Sequence, residues 1–252
     1  MSKNFELMQQ AEIKLDLPAK TVPTANPPVS SGERNGHAKG IPLDLDHISR
    51  EESMKLVQNV FLHKEAPRVV VFAGIDSGSG CSKICAHAAE VLATQNVGAV
   101  CLVDANLRSP MLPELFGVNN HYGLTDALRK SESIREFAKP VHLENLWLLS
   151  SGSLAADSPS FLNSDLMKKR MSELRKEFDY VLIDSPPLNT YADGIALGQL
   201  ADGLVLVLEA NSTRREVALR VAEHLRAAQV RMLGAVLNKC SFPIPETLYN
   251  LL

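Results

Sequence analysis

No apolar run in the 252-residue chain approaches the ~20 residues that a membrane-spanning helix needs. The opening MSKNFELMQQAEIK is too polar to read as a secretion signal. Charge of one sign is also missing. With 26 basic against 29 acidic residues and a net charge of −3, there is no electrostatic case for nucleic acid as the main partner. Cysteine is sparse. Cys81, Cys85, Cys101 and Cys240 fall within the predicted strands, helices and their junctions rather than in a spaced framework, which excludes a disulfide scaffold and fits a reducing cytoplasm. These absences lead us to expect a cytoplasmic protein, long enough for one α/β domain plus an appendage.

What is present centres on residues 68–101. Val69, Val70, Val71 and Phe72 form a β-branched and aromatic run ending at Gly74, the signature of a buried strand. Gly78, Ser79 and Gly80 follow, after which Ile84, Cys85, Ala88, Val91 and Leu92 repeat at helical spacing. A strand, a glycine-rich turn and a helix in that order suit phosphate binding. Glycine lets backbone N–H groups approach an anion, and the helix N-terminus adds partial positive charge. The usual phosphate loop continues with Lys and then Ser or Thr. Here Gly80 is followed by Cys81, Ser82 and Lys83. Lys83, two positions on, turns about 200° around a helix and points away from where Cys81 points. A dinucleotide fingerprint would need a third glycine where Lys83 stands, so that reading fails.

Along the chain, residues 1–45 are rich in proline and are expected to form a flexible tail, with a short helix near 5–13. Residues 46–240 make up the folded domain, and 241–252 a C-terminal tail. Ser49 and Glu52 stand at capping-box spacing before a helix over about 48–62. Further strands are expected at 99–103, 145–150, 180–184, 203–208 and 233–237. Helical segments are expected at 112–116, 133–138, 160–178 and 193–200, with one more capped by Thr213 and Glu216 and running to about 228. In the helix over 160–178, Leu162, Leu166, Met167, Met171 and Leu174 are expected to face inward. On the helix from 213, Arg214, Arg215, Arg220 and Arg226 are read as a solvated face. The alternation predicts a doubly wound, mostly parallel α/β sheet with helices on both faces. In such sheets the site lies at the carboxyl ends of the strands, where residues 74–82, 104–108 and 184–187 all fall.

Two of those segments carry carboxylates after apolar strands: Asp104-Ala105-Asn106-Leu107-Arg108-Ser109-Pro110 and Asp184-Ser185-Pro186-Pro187. With the glycine loop, they resemble the bacterial tyrosine kinases of capsular and exopolysaccharide synthesis, within the MinD/ParA-like class of P-loop ATPases, over roughly residues 48–240. The resemblance implies ATP or ADP with Mg²⁺ as ligands, held by Gly78, Ser79, Gly80, Cys81, Ser82, Lys83, Arg108 and Asn238, with Asn238 near the adenine. It implies Ser82, Asp104 and Asp184 around the metal, and Asp104 and Asp184 as the catalytic pair. It implies as partner the cytoplasmic end of a membrane-anchored polysaccharide chain-length regulator, a peripheral place at the inner membrane through that partner, and a homo-oligomer.

The sequence departs from the family pattern at Cys81, where Lys is expected, and at Asn106, where Asp is expected. It also departs at Met54 and Val57, where a ring-forming helix carries arginines after Glu51. The C-terminal tyrosine cluster is missing too, since Tyr122, Tyr180, Tyr191 and Tyr249 are scattered. These departures imply a degenerate, pseudokinase-like regulator of polysaccharide polymerisation or export. The alternatives are an active autokinase or ATPase using Asp104 and Asp184, and a MinD/ParA-like positioning ATPase. Cys81 and Cys85, one helical turn apart, are also candidates for a reactive or metal-binding thiol pair.

Overall fold

The structure, a computed structural model, describes residues 42–43, 47–95, 98–153, 162 and 164–240, with side chains on the first helix from residue 50 onward. The expected helix near 5–13, nearly all of the N-terminal tail and the C-terminal tail lie outside the described residues.

Seven strands form one sheet: β1 (Val69–Gly74), β2 (Val100–Asp104), β3 (Lys139–Pro140), β4 (Leu146–Leu149), β5 (Tyr180–Ser185), β6 (Gly203–Glu209) and β7 (Met232–Asn238). Their order is β3-β4-β2-β5-β1-β6-β7. Every pairing is parallel except β3 with β4. The helices are α1 (His47–Phe61), α2 (Cys81–Thr94), α3 (Leu112–Leu115), α4 (Leu124–Ala127), α5 (Ile134–Phe137), α6 (Asp165–Glu177), α7 (Asp193–Leu200) and α8 (Arg215–Ala227). The expected doubly wound architecture is therefore present.

The two-residue period of a strand explains the layering. Val69, Val71 and Ala73 of β1, with Val181 and Ile183 of β5, point into the layer that holds Met167, Met171, Leu197 and Leu225 of α6, α7 and α8. Val70, Phe72 and Leu182 point into the opposite layer, which holds α1, α2 and α3. A fully buried Val, Leu or Phe contributes about 1.5–3 kcal/mol. Stabilisation is therefore concentrated in β1, β2 and β5, buried on both faces, and thins out at β7, where Met232 and Leu237 are exposed.

The structure corrects several local expectations. The strand β3 is too short to give a sequence signal. Leu166 is 49% exposed, because the inward stripe of α6 runs through Met167, Met171 and Leu174, and Leu166 falls off it. Helix α1 starts at His47, which places Ser49 inside the helix rather than at its cap. Helix α8 has no side-chain cap. The Thr213 hydroxyl instead accepts a 3.0 Å bond from the Glu209 backbone N–H, closing the turn after β6. Val57 is fully buried and Met54 packs beside it, so both positions serve to pack α1 onto the domain. Upstream, the Leu43 N–H donates to Glu90 at 3.0 Å, so contact with the domain reaches slightly before residue 46.

Candidate nucleotide site

Because β1, β2 and β5 are adjacent and parallel, their carboxyl ends deliver the glycine loop, Asp104 and Asp184 to one place. The register sets Asp104 directly beside Asp184. Both are fully buried. Asp104 accepts backbone N–H bonds from Asn106 at 3.2 Å and Leu112 at 3.1 Å. Asp184 Oδ2 accepts the Ser82 hydroxyl at 2.6 Å, joining the loop helix to the sheet, while its Oδ1 has no partner among the described residues. Burial, only partly offset by the Ser82 and Cys81 contacts, pushes the Asp184 carboxyl up to about 6. Burial and then the Asp184 charge push Asp104 well above the carboxylate range. Two stacked carboxylates in a dry site disfavour joint ionisation unless a cation joins them.

The loop above them is shaped for backbone approach. Gly78 and Gly80 have φ of +85° and +82°, the left-handed region that side chains avoid. Gly80 also stands where a Cβ would come within 2.3 Å of the Asn238 amide. That amide donates to the Ser79 carbonyl at 2.8 Å, so Asn238 braces the loop from the end of β7. The turn after β5 braces it from the other side, through Leu188 N–H to the Gly74 carbonyl and Asn189 to Asp76.

Cys81, at the lysine position of the loop, is half-buried and turns its thiol toward Asp184. Burial, and next the Asp184 charge, raise both the Cys81 and Cys85 thiols well above their ordinary value, so neither is an activated thiolate. No three His, Cys, Asp or Glu side chains among the described residues are grouped to hold a metal by themselves.

A cleft of about 520 Å³ opens over the loop. Its walls include residues 76–83, Asn106, Arg108, Met111, Leu115, Pro187, Tyr191 and Lys239. Of the expected nucleotide contacts, Gly78, Ser79, Gly80, Cys81, Ser82, Lys83 and Arg108 line this cleft, whereas Asn238 lies behind the loop. Arg108 stacks over the Tyr191 ring at 4.0 Å and pairs with Asp193 at 3.2 Å. Tyr191, Met111, Leu115 and Lys239 had no motif to mark them. Only their arrival from separate elements places them here.

The cradle fits a phosphate chain with Mg²⁺ in most respects. Loop N–H groups, the Ser82 hydroxyl and the orphaned Asp184 oxygen are ready donors and acceptors for the anion and its metal. The loop lysine is missing. A strand, a glycine loop and a helix, with a buried carboxylate on the neighbouring parallel strand, define the class of phosphate-loop nucleoside triphosphatases. Comparison with known proteins narrows the class. The chain belongs to the ParA-type P-loop NTPase family, matching the family described as "ParA: NUBPL iron-transfer P-loop NTPase" over residues 66–250. Its relatives include the tyrosine-protein kinase YwqD of Bacillus subtilis, 35% identical over 161 residues that span 64% of this chain and 68% of that protein. The tyrosine-protein kinase ptk of Acinetobacter johnsonii is 29% identical over 239 residues, 91% of this chain but only 32% of that longer protein. Among solved structures, the chimerical protein CapA2B2 has the same fold, with a TM-score of 0.72, 24% identity and coverage of 78% of this chain and 87% of that one. P-loop NTPases generally bind nucleotide with Mg²⁺.

Proposed function

We propose that the chain is a nucleotide-binding regulatory domain of capsular or exopolysaccharide synthesis in which phosphoryl transfer has been abandoned. One observation carries this reading: the side chain at the lysine position of the loop, on the wall of the cleft, is the thiol of Cys81, which burial beside Asp184 keeps uncharged. A well-placed cation at developing phosphoryl charge is worth ~10³-fold or more in rate. Without it the loop backbone, Ser82 and the Asp104–Asp184 pair still suit a bound nucleotide, and Mg²⁺ held by Ser82 and the carboxylates would supply charge neutralisation. Asn106 removes one further anion from the metal surroundings.

Kinship to the tyrosine kinases supports the polysaccharide setting and, as partner, the cytoplasmic end of a membrane-anchored chain-length regulator. Such a partner would hold the chain at the inner membrane. Among the described residues no helix is long and apolar enough to cross a membrane itself. In this reading nucleotide occupancy, rather than autophosphorylation, sets the state that the partner senses.

The test is calorimetry of Mg-ATP and Mg-ADP on the full chain, with Cys81→Lys alongside, followed by phosphotyrosine detection. Micromolar binding without phosphotyrosine supports the proposal. Robust phosphotyrosine from the unmodified chain overturns it in favour of an active kinase.

A further inference from the structure

We infer that Lys83, in the first turn of α2, supplies the phosphate-facing positive charge that position 81 lacks, making it the residue that sets nucleotide affinity. The inference rests on the nucleotide-binding reading above and names the group that makes it work.

Among the described residues, three cations line the cleft: Lys83, Arg108 and Lys239. Arg108 is held by Asp193 and the Tyr191 ring. Lys239 is held by Glu209 at 3.0 Å. Lys83 is exposed and has no hydrogen bond or ion pair among the described residues. Its position also has the wrong sign for a helix taken alone. The first turn of α2 contains no acidic residue, so the lysine sits unneutralised at the positive end of the helix dipole, beside N–H groups that themselves call for an anion. A cation there repels its own helix until an anion joins both.

A second feature of the same cradle points to a ligand independently. Beside the loop helix, the fully buried Asp184 keeps one oxygen without a partner among the described residues, while its other oxygen holds Ser82. An anion above with a divalent cation below satisfies Lys83, the loop N–H groups and that orphaned oxygen together. A nucleoside diphosphate or triphosphate with Mg²⁺ has this chemistry. Cys81 and Lys83, two residues apart on α2, stand about 200° apart around the helix. The charge is therefore displaced along the helix from where the ordinary loop holds it. That displacement preserves attraction for the phosphates while losing the fixed position that phosphoryl transfer demands.

The experiment measures Mg-ADP affinity of the full chain as wild type, Lys83→Met, Lys83→Arg, Lys239→Met and the double variant Lys83→Met/Cys81→Lys, with nucleotide-free melting curves for each. Loss of a charged contact predicts a weakening between about tenfold and a hundredfold in Lys83→Met. Lys83→Arg should retain binding, Lys239→Met should lose less, and the double variant should recover. The melting temperature of nucleotide-free Lys83→Met should hold or rise, which separates ligand attraction from a structural role. Unchanged affinity in Lys83→Met overturns the inference while leaving the nucleotide-binding reading intact. A fall in melting temperature that matches the loss of binding also overturns it. Failure of the wild type to bind Mg-ADP at millimolar concentration, with binding gained in Cys81→Lys, sinks the nucleotide-binding reading and the inference with it.

Discussion

Two buried charged centres in this domain have opposite characters. Arg170 on α6 is only 3% exposed. Its guanidinium donates to the carbonyls of Ala127 at 2.7 Å and Glu132 at 2.8 Å, and also to the Lys130 carbonyl and the Glu173 carboxylate. Every arm has a partner, and the contacts tie the end of α4 and the segment that follows it to α6. Asp104 and Asp184 are buried as deeply, but they place like charges side by side and leave one oxygen bare. The satisfied centre completes the fold. The unsatisfied one is a site, because its missing partner has to come from outside the chain.

The largest effect should come from breaking the satisfied centre. Arg170→Met leaves three carbonyls and Glu173 uncompensated and should cost about 3–5 kcal/mol of stability, read by denaturant unfolding. Folded Arg170→Met should bind nucleotide as before. The frustrated centre should respond with the opposite sign. Burial pushes the Asp184 carboxyl up to about 6, above the ordinary 3.8, so the nucleotide-free fold binds this proton more tightly than the unfolded chain does. Stability from this group is thus full below pH ~4 and lost as pH rises toward about 6. Asp184→Asn should reduce the pH slope, leaving the part due to Asp104, and stabilise the nucleotide-free protein at pH 7 by about 1–3 kcal/mol, while abolishing Mg²⁺-dependent nucleotide binding. Melting curves from pH 4 to 7.5 check this, and a destabilised Asp184→Asn at pH 7 would refute it.

The smallest effect belongs to the loop that spans the centre. Gly80→Ala forces a Cβ into left-handed backbone and against the Asn238 amide. It should lower stability by roughly 1–2 kcal/mol and nucleotide affinity more than stability, since the Ser79 brace is displaced with it. Calorimetry and thermal melting on one sample distinguish the two.

The site was legible wherever its residues follow an apolar strand. Gly78–Gly80, Ser82, Asp104 and Asp184 each end a β-branched run or open the helix after it, and parallel α/β topology brings such ends together. Asn238 was legible by position, but its work of holding the Ser79 carbonyl was not. Tyr191 and Lys239 carry no local signal, because they reach the cleft from a turn and the last strand end, and Asp193 meets Arg108 from a helix start; only the strand order makes them neighbours. Leu166 and Thr213 were misread for a related reason. Periodicity and cap spacing are local statements, and the docking angle of α6 and the turn after β6 decided the outcome.

By itself, the sequence determined the alternation of buried strands and helices, the glycine loop, and the loss of its lysine at Cys81, because side-chain period and backbone freedom are local properties. The tertiary structure alone decided that the Cys81 thiol turns to Asp184, that Asp104 and Asp184 are stacked without enough partners, and that Arg108 and Lys239 are engaged while Lys83 is not. Pairing and burial depend on what the rest of the chain brings within a few ångströms, and no stretch of sequence contains that information.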